Sequence, residues 1–347
     1  MRNSKPYLIA EIGVNFYDTA CVMGITPLEA AKLYIDKVAE AGIDCAKFQS
    51  YKAGTIVSKK SPAYWDITKE PTKTQYELFL KYDSFDEAEY RELCEYTHSK
   101  GIDFTSTPFD YAAADYLEDM VDFYKISSSD LSNLPFIHHI GAKGKPVVLA
   151  VGAAYLSEVD EAVRTLKESG CKDITILQCV LSYPTDPQNA NLRIIETLKK
   201  VFPDVKVGLS DHVAPDDTMM TLAVAYMLGS DVIEKHFTLD KTLHGNDHYH
   251  AGEPEDFKKA IANFKWIDTV LGSPEKTVLE CERIPRREAR RSLVLARDMK
   301  AGEAIKKEDL MPKRPGTGIS PIYTDIIVGR NVVKDLEEDT ILTWDMV

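Results

Sequence analysis

The feature that most constrains this chain is an alternation. Eight short β-rich runs are separated by segments with helical periodicity: YLIAEIGVN (7–15), CAKFQSY (45–51), DFTSTPF (103–109), DFYKISSSD (122–130), PVVLAVG (146–152), ITILQCVLSYP (174–184), VKVGLSDH (205–212) and VIEKHFTLD (232–240). Eight strand–helix units over roughly 270 residues predict a (β/α)8 TIM barrel, a fold of about 250 residues. An open, doubly wound sheet is the rival, but no strand is followed by the glycine fingerprint GxGxxG.

Helix signals agree with this spacing. In TPLEAAKLYIDKVAEAG, Thr26 suits the N-cap, Pro27 the first helical position, and Glu29 completes a capping box. Leu28, Ala31, Ile35, Val38 and Ala39 form one apolar face, and Gly42 stops the helix. LSEVDEAVRTLKESG (156–170) repeats the plan with Ser157 and Gly170, and a further helix over 253–272 follows the eighth run. Residues 291–347 change to short β-like runs punctuated by Gly and Pro. The expected organisation is a barrel domain over 1–274, a charged linker over 275–290 and a small β domain over 291–347.

A formal charge of −13 argues against nucleic acid or an anionic membrane as a partner. An anionic substrate therefore needs a local cluster of cations. No apolar run approaches the ~18 residues that span a bilayer. The opening MRNSKPYLIAEIG has no signal-peptide core, and the six cysteines are scattered without a CxxC pair. Both point to a cytoplasmic location and reduced thiols.

Barrel active sites lie at the C-terminal ends of the strands. Polar residues gather there in this sequence, often two apart and so on one face. Glu11 and Asn15 come from the first run, Lys47 and Gln49 from the second, and Thr105 and Thr107 from the third. The fourth offers Lys125, Ser127 and Ser128, the sixth Tyr183, the seventh Ser210 and His212, the eighth Glu234 and His236. A lysine within a strand is costly to bury without a counter-charge. Lys47 and Lys125, with several hydroxyls, suit a bound phosphate or carboxylate; the alternative is structural pairing with Glu11 and Glu234. His212 and His236 could share one metal, and two imidazoles with oxygen ligands suit Mn2+, Mg2+ or Fe2+ better than structural zinc.

The segment LHGNDHYH (243–250) is too tightly spaced, and too rich in turn residues (Gly245, Asn246), for a self-contained tetrahedral site. It reads as a lid or substrate-contact loop over the barrel mouth. Asp247 is its functional candidate and His248 a neighbour of metal or substrate, while His244 and His250 are expected at the surface. Tyr64, Trp65 and Tyr76 could line a substrate pocket or pack the long loop after the second strand, and packing is the expectation; RREARR (286–291) is expected to form a solvated linker helix.

In their order and spacing, IAEIGVN, KFQ, STPFD, YKISSSD, YPT, GLSDH, EKHFTLD, GND and KRPGTG resemble the sialic acid synthase family, the N-acetylneuraminate synthases and their legionaminic and pseudaminic acid counterparts. The resemblance covers essentially the whole chain. It implies a TIM barrel followed by a SAF domain, the antifreeze-like β-clip module. It implies an enzyme condensing phosphoenolpyruvate (PEP) with an N-acylated mannose-type aldose to a nine-carbon 2-keto sugar acid and phosphate, with N-acetylneuraminate synthesis as the leading expectation. A divalent metal, usually Mn2+, and a domain-swapped homodimer, each SAF domain reaching over the partner's barrel, are implied as well. By the same resemblance, Lys47, Thr107, Lys125, Ser128 and Ser210 hold PEP, and Gln49 and Tyr183 lie near the substrates. Glu11 and Asp211 belong to the catalytic set, His212 and His236 bind the metal, and Asp130 and Asp247 face the acceptor. Arg314 matches the SAF arginine that crosses the dimer to the N-acyl group. The sequence departs from the family pattern after Asn15 (FYDTACVMG, a longer, more apolar loop), at Ala150 and Leu181, where polar residues are frequent, and at Asp130, where the N-acetylneuraminate enzymes tend to have Glu.

Two other readings fit parts of the sequence. A Schiff-base aldolase would use Lys125 to form an imine with pyruvate, leaving the strand-end histidines and the SAF tail without purpose. A non-catalytic sugar- or ice-binding module would rest on the tail alone and leave the polar strand ends unexplained.

Overall fold

Each of the eight runs forms a strand, shorter than the run by one to six residues. The computed structural model describes residues 5–347 apart from 66, 69 and 246. The strands are β1 (Tyr7–Gly13), β2 (Cys45–Ser50), β3 (Asp103–Pro108), β4 (Tyr124–Ile126), β5 (Val147–Ala150), β6 (Ile174–Cys179), β7 (Lys206–Asp211) and β8 (Val232–His236). They pair in parallel in the order β3-β2-β1-β8-β7-β6-β5-β4. The two ends of that order meet: Asp122 N–H donates to Phe104 O (3.0 Å) and Thr105 Oγ1 to Phe123 O (2.6 Å). The sheet thus curls into a TIM-type barrel.

The pleat sends alternate side chains inward. Ile9, Cys45, Phe123, Val148, Leu177 and Val232 form an apolar plug inside the barrel, separate from the larger core between the strands and their helices. Gly208 sits at this level. A Cβ there would lie 2.0 Å from Val232 O and 2.8 Å from Leu177 Cδ2, so a side chain on β7 would collide with β8. Two residues further along, the same inward faces carry Glu11, Lys47, Lys125, Cys179, Ser210 and Glu234.

The helix Pro27–Glu40 is capped as its sequence predicts. Glu29 N–H donates to Thr26 Oγ1 (3.2 Å) and Thr26 N–H to Glu29 Oε2 (2.8 Å). Replacing Thr26 by Ala should lower stability by about 1 kcal/mol, read as a fall in the denaturant midpoint at constant m-value. The helix Leu156–Glu168 starts differently from expectation. Ser157 is not its cap; Glu158 reaches back to accept from Tyr155 N–H (2.7 Å). The segment after Asn15 is also not a loop but the helix Asn15–Met23, ended by Gly24 at φ +68. Phe16 and Ala20, four apart, point into the core, and Phe16 stacks on Phe85 at 5.2 Å. No Gly or Pro interrupts those nine residues.

The chain divides into two compact units at Leu271/Gly272. In the second, β9 (Ser292–Leu295) pairs antiparallel with β10 (Leu310–Lys313). Leu293, Leu295, Met299, Ile305, Ile327 and Leu342 are among the residues of its own small core. The RREARR segment is exposed and mostly within the helix Arg283–Ala289, whose Arg287 O accepts from Gly316 N–H (2.7 Å). All six cysteines are free, four of them buried. Among the described residues, no helix is long and apolar enough to cross a membrane.

Candidate active site

Above the plug, a cavity of about 690 Å3 is lined by the strand ends and the loops that follow them. Its deepest charged group is a four-residue cluster. Lys47 Nζ contacts Glu11 Oε2 directly and lies 3.8 Å from Glu234 Oε1 and 3.3 Å from Thr107 Oγ1. Lys125 Nζ lies 3.7 Å from Glu234 Oε1 and donates to Ile126 O (3.2 Å). Gln49 Nε2 donates to Glu11 Oε1 (2.6 Å) and Ser210 Oγ to Glu234 Oε1 (3.1 Å). The ion pairs that the structural reading expects exist, and all four residues line the cavity.

The apolar plug beneath makes this a place where charge is expensive. Burial pushes the Glu11 carboxyl up against the opposing pull of Lys47. For Glu234, burial is outweighed by Lys125 and Lys47, which hold it ionised. Burial pulls Lys125 down by more than Glu234 raises it, whereas Glu11 and Glu234 together overcome burial and raise Lys47. Lys47 is thus a fixed cation, and Lys125 the easier of the two to deprotonate.

Ser128 Oγ accepts from Gly152 N–H (2.9 Å), tying β4's end to β5's. Asp130 lines the cavity, its carboxyl pushed up by burial and hydrogen-bonded by Asn133 (3.2 Å). Ala150, Leu181 and Tyr183 line it as well. So do Tyr64 and Trp65, contrary to the expectation that they only pack their loop; Trp65 Nε1 donates to Glu70 O (3.0 Å), which presents the ring to the cavity. Tyr76 stays apart, under Lys59 at 5.6 Å. The buried thiol of Cys179, which the sequence reading did not single out, also lines the cavity and is pushed up by burial.

One expected residue of the barrel is not brought there. Asp211 is a correction in placement: it pairs with buried Lys235 (2.7 Å) and accepts from Val213 N–H (3.1 Å), on the face of β7 opposite Ser210. Arg314 belongs to the second unit, where it is exposed.

The histidines form a second group. His212 Nδ1–H donates to Val180 O (2.7 Å), which leaves Nε2 with its lone pair. Its ring lies 4.1 Å from that of Tyr183. His236 Nδ1 lies 3.8 Å from Asp247 Oδ2. His250, expected at the surface, is fully buried, with its ring 4.8 Å from that of His236. The reason is a long-range bridge. After the turn the chain returns alongside the end of β8, where Gly252 N–H donates to His236 O (2.8 Å) and Thr238 N–H to Gly252 O (3.0 Å). The small pair Ala251–Gly252, packed on Phe257, was the available signal.

His248 is buried too, sharing a hydrogen bond with Thr238 Oγ1 (2.7 Å) and lying 3.3 Å from Asp18, so it pins the loop. Gly245, at φ +140 with Asp18 Oδ2 only 2.7 Å from a Cβ position, admits no side chain easily. His244 is exposed as expected, and Asn246 lies outside the described residues. Burial lowers His212 to about 4 and takes His236 and His250 well below the usual imidazole value. All three are neutral near pH 7, the form that binds a metal. Among the described residues, His236 Nδ1 and both ring nitrogens of His250 have no hydrogen-bond partner. Buried nitrogens left without partners beside a carboxylate fit a divalent cation.

Comparison with known proteins gives consistent results. The model of the NeuB family matches residues 34–276, and that of the SAF domain residues 290–347. The N,N'-diacetyllegionaminic acid synthase of Legionella pneumophila is 37% identical over 98% of this chain and 94% of its own length. The human N-acetylneuraminate-9-phosphate synthase is 31% identical over 98% of this chain and 92% of its own. Among solved structures, the N-acetylneuraminic acid synthetase of Leptospira borgpetersenii is 29% identical with a TM-score of 0.69, covering 82% of this chain and 90% of that one.

Proposed function

The chain belongs to the NeuB family, with a SAF domain at its C-terminal end, and from that premise we propose that it condenses PEP with an N-acylated aldose to a nine-carbon 2-keto sugar acid and phosphate. The observation that carries this reading is the pair of buried lysines, with Thr107, Ser128 and Ser210 around them, at the floor of a cavity large enough for two small substrates. In a chain of net charge −13, this is where a phosphorylated carboxylate finds fixed cations.

C3 of PEP attacks the aldehyde carbon, water adds at C2, and phosphate leaves. Lys47 and Lys125 hold the anion and stabilise the departing phosphate. Glu11, kept in place by Gln49 and Lys47, orients the water and takes its proton. His236 and His212 would hold a divalent cation, Mn2+ in this reading, which when bound would supply Lewis-acid polarisation of the aldehyde oxygen.

For the acceptor, the proposed class is a 2,4-diacetamido-2,4,6-trideoxyhexose, with N-acetylmannosamine as the alternative. The wall contributed by Ile56, Tyr64, Trp65, Leu78 and Phe79 is apolar. It suits a C6 methyl and a second acetamido group better than free hydroxyls. The 37% identity to a legionaminic acid synthase supports the same choice.

The test is phosphate release from PEP with Mn2+, against 2,4-diacetamido-2,4,6-trideoxymannose, its altrose isomer and N-acetylmannosamine, each with an EDTA control. Metal-dependent release with the trideoxymannose is expected. Release with N-acetylmannosamine alone would reassign the acceptor, and no release with any would overturn the reading. One observation favours a second chemistry: the depressed Lys125 is what an imine-forming lysine requires. Borohydride trapping with pyruvate is expected to leave the protein's mass unchanged; a covalent adduct at Lys125 would favour the aldolase.

A further inference from the structure

His250 is a buried polar group that the reaction above does not use. It is fully enclosed, does not line the cavity, and among the described residues has no hydrogen bond at either ring nitrogen. An imidazole carries a strong donor and a strong acceptor, and leaving both unmet in the interior is costly. Its surroundings show what could meet them. His236, Asp247 and His250 each offer one ligand atom, and these atoms lie within 4.8 Å of one another. His236 Nδ1 is also without a hydrogen-bond partner among the described residues. The His236 and His212 rings are 5.3 Å apart, and those of His212 and His250 6.3 Å.

We propose that His250 is a ligand of the divalent cation, so that His236, His250 and Asp247 present two imidazoles and one carboxylate to a single ion. The proposal rests on the metal-dependent reading above, adds His250 and Asp247 to His236, and leaves His212 of the strand-end pair for a further position. Bonds of about 2.0–2.2 Å set neighbouring ligand atoms roughly 3–3.5 Å apart. Binding therefore draws the three ligand atoms together by up to about 1.3–1.8 Å. Two imidazoles and a carboxylate on one face suit a six-coordinate first-row ion such as Mn2+, Fe2+ or Co2+. The remaining positions stay available to water, a substrate oxygen or His212, whose Nε2 is left free by the bond from Nδ1 to Val180 O. His236 and Asp247 line the cavity while His250 stands behind them, so His250 would anchor the ion from the wall side. The backbone bridge from Gly252 to His236 fixes that side.

The test uses the full chain stripped with EDTA, as wild type, His250→Phe and His250→Cys. Phenylalanine keeps the ring and removes both nitrogens. Mn2+ affinity is measured by titration calorimetry, and Co2+ binding by its visible and near-ultraviolet spectrum. We expect His250→Phe to weaken Mn2+ binding by at least about tenfold and to change the cobalt bands, while the metal-free Tm holds or rises. His250→Cys is expected to add a cobalt–thiolate charge-transfer band that the wild type lacks. Unchanged affinity and cobalt spectrum in His250→Phe, or no thiolate band in His250→Cys, would overturn the assignment while leaving the proposed reaction standing. A wild type that binds neither ion would overturn both this ligand and the metal-dependent reading. Should the phenylalanine variant not fold, the thiolate band decides alone.

Discussion

Replacing Lys47 by methionine is expected to abolish phosphate release from PEP and to lower the unfolding free energy by about 3–5 kcal/mol, the cost of removing one partner from a buried ion pair. Lys47 is buried between two buried carboxylates, Glu11 in direct contact and Glu234 at 3.8 Å. Without it, two acids share Lys125, which lies 3.7 Å from Glu234 and is already depressed by burial. Glu11, already pushed upward, would take up a proton rather than stay ionised, and this should keep the loss from growing further. The double replacement Lys47→Met with Glu11→Gln should therefore recover much of the stability and none of the turnover. Denaturant unfolding gives the first quantity and phosphate release the second. Normal turnover in folded Lys47→Met protein would reduce this lysine to a structural counter-ion and remove the main support for the proposed PEP site.

Much of this arrangement can be read from the sequence because it depends on short periods. The two-residue alternation that brings Lys47 beside Gln49 and Ser210 beside His212 also fixes which side chains enter the barrel. Thr26 and Glu29 specify their helix end within four residues. What is harder to read depends on contacts distant in sequence. His250 lies in a run of polar and turn residues that looks exposed, and only the pairing of Gly252 with the end of β8 takes it inside. The Asn15–Met23 segment reads as a loop only through its departure from the family pattern, and its helix packs Phe16 on Phe85, a contact distant in sequence. Tyr64 and Trp65 sit in a long connection with no periodicity, so nothing local says which way their rings face. Asp211 is a different case, since the signal was present. A strand whose Ser210 and His212 point inward must point Asp211 outward.

That parity leads to the expectation for Asp211. Its replacement by alanine should cost about 3–5 kcal/mol, as much as the loss of Lys47, yet leave kcat and the KM for PEP of the folded enzyme unchanged. Asp211 accepts from Lys235 Nζ (2.7 Å), and both are buried behind the sheet. Removing the carboxylate strands an ammonium group whose one other partner among the described hydrogen bonds is Val213 O (2.6 Å). Pairing Asp211→Leu with Lys235→Met takes away both charges and fills the space with apolar atoms, a change that is often neutral or stabilising. The double variant should therefore unfold later than Asp211→Ala, and a double-mutant cycle in denaturant measures the coupling. Kinetics on the same proteins separate the two roles of a buried acid. If Asp211 only holds the β7–β8 pair, turnover per folded molecule is the same in all variants. If it takes part in the chemistry, the well-folded double variant loses kcat without losing stability, and Asp211 must then reach the substrates through His212, the neighbouring residue on the inner face.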